Sequence, residues 1–238
     1  MKNIEEVITK SSNEFPGRVA DIIEREANKV LASKKRFSIG LSGGKTPKKI
    51  YTELSKRETI DWNRADVFWV DERCVPPTSE ESNYALANKY LFSQIPYIPS
   101  IYRIKGENPD PANEAKDYEK IIRKILCSDG NCFPSIDILL LGIGVDGHVA
   151  SLFPNTSVID DENNLVSAVW VNEINKPRIT MTFPMLNSAK VCIFMINGKE
   201  KVSIYNNLYS SDGFKTEYPV SRIMPKNGRI IWVLDDVS

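Results

Sequence analysis

Histidine is almost absent from this chain: its 238 residues include a single one, His148. Cysteine is also scarce, with four scattered residues, Cys74, Cys127, Cys132 and Cys192. A structural zinc site needs closely spaced pairs of cysteine or histidine ligands, and Cys127 and Cys132 have no second pair to join. The composition therefore predicts no metal site and four free thiols, as in the reducing cytosol.

The chain also lacks an excess of charge and a long apolar run. Its 31 Lys and Arg residues balance 31 Asp and Glu residues, so no global field favours nucleic acid or an acidic membrane surface. No apolar run approaches the roughly 20 residues of a membrane span. The first residues do not form the apolar segment of a secretory signal. We therefore expect a cytoplasmic protein without nucleic-acid or membrane partners.

Apolar runs alternate with amphipathic segments along the whole chain. These runs lack interspersed polar residues, which is typical of strands buried on both faces of a parallel sheet. The pattern predicts an α/β fold: a Rossmann-like, doubly wound, mostly parallel sheet with helices on both faces. Without repeats or a clear linker, residues 1–238 are expected to form one domain. The five main strands are predicted near 36–41, 66–71, 136–141, 190–196 and 229–234.

The remaining segments carry further predictions. Apolar spacing over residues 4–33 favours one or two amphipathic helices, broken near Pro16. Further helices are predicted near 48–55, 84–91 and 112–126, and further strands at 165–171 and 178–182.

A glycine-rich turn follows the strand at 136–141. Gly142, Gly144 and Gly147 provide backbone freedom there, and Asp146 and His148 lie among them. Ligands of open α/β sheets bind outside the carboxyl ends of the strands. A lone histidine is more often structural, but its position in this turn favours a functional role.

A second glycine-rich loop, Ser42-Gly43-Gly44-Lys45-Thr46, follows the strand at 36–41. Thr46 suits a helix N-cap and the following Pro47 suits the first helical position. Free N–H groups and the positive end of a helix would then face one point, which favours binding of a phosphate. The spacing does not match a Walker A loop, and a tight turn without a ligand is the alternative.

Charged residues also end the strand at 66–71. Asp71, Glu72 and Arg73 follow directly on an apolar run. Two acids beside an arginine at a strand's carboxyl end favour a site over a solvated loop, which is the alternative interpretation.

These motifs together resemble those of the 6-phosphogluconolactonases, over residues from about 36 to 234. Asp-Glu-Arg at 71–73 and Ala-Ser-Leu-Phe-Pro at 150–154 differ from the related glucosamine-6-phosphate deaminases, which usually have Asp-Glu-Tyr and Ala-Phe-Asn-Glu-Pro. The acid that completes a triad with the histidine in deaminases is missing here. Lys45 departs from the Ser or Arg common in the family. The motifs are Ser42-Gly-Gly-x-Thr-Pro47, Trp69-Val-Asp-Glu-Arg73, Gly142-Ile-Gly-x-Asp-Gly-His-x-Ala-Ser-Leu-Phe-Pro154, Arg178-Ile-Thr180 and Gly198-x-x-Lys201.

The resemblance implies hydrolysis of 6-phospho-glucono-1,5-lactone in the oxidative pentose phosphate pathway. A strained ester needs no metal or other cofactor, and one general base to activate water is enough. His148 is the candidate base and Asp146 would orient its ring. Asp71, or Glu72, is the next candidate base. A triad with Ser151 as nucleophile is disfavoured, because triad partners usually come from separate loops.

Several residues are candidates to hold the substrate's phosphate. The resemblance implies the Gly43–Gly44 backbone, Thr46, Arg178 and Lys201, with Ser42 and Lys45 in the same loop. Arg73 would bind phosphate or stabilise an oxyanion, and the sequence does not separate the two roles.

Two other functions stay open at this stage. One is an amino-sugar-phosphate deaminase and isomerase, and the other is a non-catalytic sugar-phosphate sensor. The expected partner is a small-molecule sugar phosphate, with fusion or functional coupling to glucose-6-phosphate dehydrogenase as a further possibility.

Overall fold

Strands and helices alternate along the chain in the computed structural model, which describes residues 4–127, 130, 132–171, 175–210, 213–214 and 217–235. The strands are β1 (Ile4–Thr9), β2 (Phe37–Leu41), β3 (Ala65–Trp69), β4 (Asp71–Arg73), β5 (Ser100–Ile101), β6 (Ile138–Leu141), β7 (Val166–Val171), β8 (Lys176–Met181), β9 (Val191–Ile196), β10 (Tyr209–Ser210), β11 (Gly213–Phe214) and β12 (Arg229–Asp235). The helices are α1 (Phe15–Leu31), α2 (Lys45–Leu54), α3 (Asn83–Tyr90), α4 (Pro111–Leu126), α5 (Phe183–Leu186) and α6 (Lys199–Leu208).

A seven-stranded sheet with the order β1-β12-β9-β6-β2-β3-β5 forms the centre of the fold. Every pairing in it is parallel. All residues of β2, β3, β6 and β9 are buried, so both faces of the sheet are covered at its centre. The predicted mostly parallel α/β sheet is confirmed, and the five predicted main strands all lie in it.

The N-terminal segment differs from its prediction. Residues 4–9 form an edge strand whose partners run from Ile230 to Asp235 in β12, and a helix begins only at Phe15. The Thr9 hydroxyl donates to the carbonyl of Leu234, and the Ser12 hydroxyl donates to Asp235. The helical prediction for 4–9 is wrong because so short an apolar pattern does not distinguish helix from strand.

A small antiparallel sheet, β4-β8-β7, lies beside the main sheet. It contains the predicted strands at 165–171 and 178–182. Val70 joins β3 to β4: its N–H donates to the carbonyl of Leu41, and its carbonyl accepts from the N–H of Met181. The chain therefore leaves the main sheet at Val70 and pairs with β8, which places the side chains of β4 against those of β8.

The cysteines depart in part from expectation. Cys127 and Cys132 form a disulfide, so the prediction of four free thiols is wrong for this pair. Their Cα atoms are 5.5 Å apart, a separation that suits a disulfide. Cys74 and Cys192 are free.

Two features are absent from the described residues. They contain no helix with the length and apolarity that crossing a membrane requires. They also contain no group of three or more His, Cys, Asp or Glu side chains arranged to hold a metal ion.

Four loops with candidate site residues follow neighbouring strands of the main sheet. Because the strands are parallel, these loops meet at one edge, where a site is expected. They are 142–148 after β6 and 42–44 after β2, together with 197–201 after β9, which enters α6, and 70–73 after β3, which includes β4.

Tyr118 of α4 takes the place of a missing strand beside β3. Strand β5 pairs with Asp66 and Val67 only, so it does not reach Trp69. The buried Tyr118 hydroxyl accepts from the Trp69 N–H at 2.8 Å and donates to the Trp69 carbonyl at 3.2 Å.

We predict that Tyr118→Phe leaves these two backbone groups buried without a partner. The free energy of unfolding should fall by about 1–3 kcal/mol, the usual cost of such groups. Urea denaturation measures it, with Tyr97→Phe as the control because Tyr97 is 60% exposed. Equal stabilities of the two variants would contradict this role of Tyr118.

Candidate active site

The turn after β6 depends on its glycines. The Gly144 N–H donates to the carbonyl of His148 at 2.9 Å, and the Gly147 N–H donates to the carbonyl of Gly144 at 3.0 Å. Gly147 has a φ of +77°, and a Cβ there would lie 2.4 Å from the Tyr218 ring. Both the backbone angle and the close approach require glycine.

His148 and Asp146 form a hydrogen-bonded pair in this turn. His148 Nδ1 lies 2.6 Å from Asp146 Oδ1, and the backbone N–H of His148 donates to the same oxygen at 3.1 Å. The Phe153 ring stacks on the imidazole at 4.0 Å between centroids. With Nδ1–H directed at a carboxylate, Nε2 keeps its lone pair, and no described residue hydrogen-bonds to it.

The carboxyl group of Asp146 is held in its charged form. Partial burial would raise its pKa, but the side-chain hydrogen bond and charge of His148, with backbone N–H groups, outweigh burial and lower the pKa below the ordinary value. An ionised carboxylate on Nδ1 can orient the ring and stabilise an imidazolium. His148 is 29% exposed, so its free nitrogen can reach a water molecule or a substrate.

The loop after β2 leads into α2, whose N-terminus has no side-chain cap. Gly44, with a φ of +102°, is the N-cap of α2 and no side chain caps the helix there. Thr46 therefore lies within the first turn, and its prediction as the N-cap is wrong because the positive φ of Gly44 starts the helix earlier. The first N–H groups of α2 stay available to an anion.

The Ser42 hydroxyl is used within the protein. It donates to the carbonyl of Leu140 at 2.5 Å, while the Ser42 carbonyl accepts from the Tyr51 hydroxyl. The buried Ser42 therefore ties the loop to β6, and its hydroxyl is not free to contact a ligand.

Cationic side chains surround a cleft of about 240 Å³ beside this loop. Lys45, Lys48 and Arg73 line it together with Gly44. Two acids also reach the cleft, Glu80 and Glu81, but Glu81 is already paired with Lys176 at 2.7 Å. The cleft combines excess positive charge with the N-terminus of α2, which suits an anion.

Arg73 and Arg178 lie directly opposite each other on β4 and β8. Burial, followed by the charge of Arg73, lowers the pKa of the Arg178 guanidinium, which still stays protonated. Arg178 Nη1 is buried and has no hydrogen-bond partner among the described residues. Facing like charges are unfavourable, so this pair is also suited to an anion.

Lys201 lies in the first turn of α6, after Gly198 with its φ of +96°. Burial lowers the pKa of its ammonium group. No ion pair of Lys201 is found within the described part of the chain. Neither Lys201 nor Arg178 lines the 240 Å³ cleft itself, but Arg178 lies opposite Arg73, which does.

Asp71 and Glu72 are both buried and hydrogen-bonded. Asp71 accepts from the Ser151 hydroxyl at 2.6 Å and from Asn83 Nδ2 at 3.1 Å. The Ser151 hydroxyl therefore points to Asp71 and makes no bond to His148, which removes the contact that a Ser151 triad requires.

Glu72 holds the N-terminus of α3. It accepts from the backbone N–H groups of Arg73, Asn83 and Tyr84 and from the Ser82 hydroxyl. Burial raises the pKa of Glu72, and these four hydrogen bonds oppose that shift. Both carboxylate oxygens of Glu72 therefore already accept hydrogen bonds that hold α3 in place.

Sequence reasoning missed several residues of this region. Asn83 and Thr180 bond to Asp71 and Ser151, and Phe153 covers the imidazole. Phe153 and Thr180 lie within motifs that carried the family resemblance, and Ser82 before Asn83 is a favourable N-cap, but none of these contacts was predicted. The contact of Ser151 with Thr180 joins residues 29 apart, which no local pattern shows.

Comparison with known proteins gives consistent similarities. The sequence model of a family described as glucosamine-6-phosphate isomerases/6-phosphogluconolactonase matches residues 10–232. The chain is 35% identical over 217 residues to a 6-phosphogluconolactonase of Chlamydia pneumoniae, covering 89% of this chain and 80% of the relative. It is 37% identical over 205 residues to that of Haemophilus influenzae, covering 84% and 85%.

A solved structure is similar along the whole chain. The crystal structure of 6-phosphogluconolactonase from Thermotoga maritima superimposes with a TM-score of 0.81 at 30% sequence identity. The similarity covers 97% of this chain and 99% of the other.

We predict that Gly144→Ala displaces the Asp146–His148 pair. A Cβ at Gly144 would lie 2.1 Å from His148 Nδ1 and 2.5 Å from Asp146 Oδ1, so the ring must move. The imidazole NMR signals of the single histidine should shift, and stability should fall by roughly 1–3 kcal/mol through overpacking. The matched control is Gly142→Ala in the same turn, where a Cβ meets nothing within 4 Å. Identical imidazole signals in both variants would refute the tight approach at Gly144.

Proposed function

Because the chain belongs to the family of glucosamine-6-phosphate isomerases and 6-phosphogluconolactonases, we propose that it hydrolyses 6-phospho-D-glucono-1,5-lactone to 6-phosphogluconate, as its relatives are named for doing. The reaction belongs to the oxidative pentose phosphate pathway. The observation that carries the proposal is the Asp146–His148 pair, which leaves Nε2 without a hydrogen-bond partner among the described residues, in a turn at the carboxyl edge of the sheet.

His148 acts as the general base. Its Nε2 takes a proton from water while the water oxygen attacks the lactone carbonyl carbon. The resulting oxyanion collapses, the bond from carbon to ring oxygen breaks, and the imidazolium returns the proton to the leaving oxygen. Asp146 keeps the ring in its orientation and stabilises its charged form. This chemistry needs no cofactor, because a lactone is a reactive ester.

The phosphate is held by the N-terminus of α2 with Gly43, Gly44, Lys45 and Thr46, and Arg178 and Lys201 contribute charge. Support comes from the uncapped helix end and from the unpaired guanidinium of Arg178. Arg73 either joins the phosphate site or stabilises the oxyanion. The charges of Asp71 and Glu81 act on Arg178, but it has no direct ion-pair partner among the described residues, so a bound phosphate would be its first direct counter-ion.

The rival activity of the same family is deamination of glucosamine 6-phosphate. Phe153 packs on His148 in this chain, and no second carboxylate bonds to the ring among the described residues. This arrangement supports the lactonase. Incubation with glucosamine 6-phosphate and measurement of ammonia tests the rival directly, and binding of 6-phosphogluconate without turnover would indicate a sensor.

The lactone arises when glucose 6-phosphate is oxidised, so this chain would act after glucose-6-phosphate dehydrogenase. We propose functional coupling or fusion to that enzyme and action in the cytoplasm. The balanced charge of the chain supports a small-molecule partner over nucleic acid.

His148→Gln should abolish most of the activity. Loss of the only imidazole should lower kcat by about 10²–10⁴-fold, the usual contribution of a general base. A coupled assay with freshly generated lactone, corrected for spontaneous hydrolysis, measures kcat of the variant and of the wild type. If the variant keeps a substantial fraction of kcat, His148 is not the general base, and Asp71 becomes the leading candidate.

Arg178→Ala and Lys201→Ala should raise KM more than they lower kcat. The phosphate is remote from the carbonyl and is bound equally in the ground state and the transition state. Arg123→Ala, which removes an exposed arginine of α4 paired with Glu119, is the control and should leave both constants unchanged. An unchanged KM in both test variants would remove these residues from the phosphate site.

A further inference from the structure

A buried polar network joins the turn that bears His148 to the loop after β2. Its centre is the carboxylate of Asp71, which accepts from Ser151 Oγ through Oδ2 and from Asn83 Nδ2 through Oδ1. Asn83 Nδ2 also donates to the carbonyl of Asp71 at 2.8 Å, and the Ser151 N–H donates to Thr180 Oγ1 at 3.1 Å. All four residues are buried, so water does not compete for these bonds.

On the histidine side, Ser151 anchors the end of the catalytic turn. Val149 and Leu152 form a tight turn around Ala150, which adopts a φ of +51°. This conformation is unfavourable for alanine and needs support from its surroundings. Ser151 supplies that support through both its hydroxyl and its N–H. Phe153 follows two residues later and stacks on His148, so the anchoring of Ser151 also places this ring.

On the other side of the network, Asn83 sets the position of Gly43 in the Ser42–Gly44 loop (the anion loop). A Cβ at Gly43 would lie 1.6 Å from Asn83 Oδ1, so the loop backbone rests directly on this side chain. Asn83 Oδ1 is buried and has no hydrogen-bond partner in the described part of the chain. The side-chain amide of Asn83 donates to Asp71, and the backbone N–H of Asn83 donates to the Glu72 carboxylate.

We propose that Asn83 and Ser151 are positioning residues that, coupled through Asp71, set the separation between the Ser42–Gly44 loop and the His148 turn. This inference rests on the proposed lactonase activity, in which one substrate spans both loops. The phosphate is held at one end while the carbonyl must meet Nε2 at the other. Displacement by about 1 Å can cost 10²-fold in rate, so a rigid buried link between the loops has a direct kinetic effect.

The two arms of the network should give different kinetic signatures. Ser151→Ala should lower kcat roughly tenfold to hundredfold with little change in KM, because it loosens the His148 turn. Asn83→Ala should raise KM roughly tenfold, because it frees the anion loop. Adding Asp71→Asn to Ser151→Ala should lower kcat no further than Asp71→Asn alone, since both remove the same link.

Ser38→Ala is the matched control for Ser151→Ala. Ser38 is also buried, and its hydroxyl donates to the carboxylate of Asp137 at 3.0 Å, but it lies near the amino end of β2, away from the site. It should lose stability without a change in kcat or KM. If Ser151→Ala does not fold, Thr180→Val removes the acceptor of the Ser151 N–H and should give the same kcat loss.

The single histidine gives a readout independent of turnover. Ser151→Ala should shift the imidazole NMR signals of His148, and Ser38→Ala should leave them in place. Equal kcat values in these two variants, with unchanged imidazole signals, would overturn the proposal. If the wild type does not hydrolyse the lactone, the proposed function fails, and the imidazole signals alone then decide for or against the network.

Discussion

Parallel pairing of β3, β2, β6 and β9 is the constraint on which the rest of the structure depends. It brings the carboxyl ends of four buried strands to one edge, so the segments that follow these strands all begin at that edge. The turn with His148 and the anion loop follow adjacent strands, β6 and β2. Their closeness therefore results from backbone pairing before any side chain contributes.

Charge is distributed unevenly across a chain whose net charge is zero. The buried acids at the site, Asp71 and Glu72, are satisfied by uncharged donors, and their hydrogen bonds fix β4, α3 and the His148 turn. The cations Arg178 and Lys201 have no ion-pair partner among the described residues. The buried carboxylates of Asp71 and Glu72 thus stabilise the fold, while Arg178 and Lys201, without ion-pair partners among the described residues, favour binding of an anion.

Glycine and close contacts give the site its precision. Gly144 allows the Asp146–His148 pair to pack against the backbone, and Gly43 allows the anion loop to rest on Asn83. In each case a Cβ would occupy space already filled by a polar side chain. The Asp146–His148 pair and the anion loop are therefore held by close contacts that allow little displacement, which suits a site that must hold both ends of one substrate.

The sequence by itself determined the parallel sheet, the loops at its edge and the Asp146–His148 turn, because uninterrupted apolar strands and glycine-rich turns are local patterns. The prediction of a helix at residues 4–9 was wrong, because this segment forms a strand by pairing with the edge of β12. The prediction of Thr46 as an N-cap was wrong, because Gly44, with its positive φ, is the N-cap of α2. Only the tertiary structure decided that Ser151 bonds to Asp71 and that Phe153 covers His148. Ser151 and Asp71 are 80 residues apart, so no local pattern shows their bond, and the stacking of Phe153 on His148 depends on how the intervening turn folds.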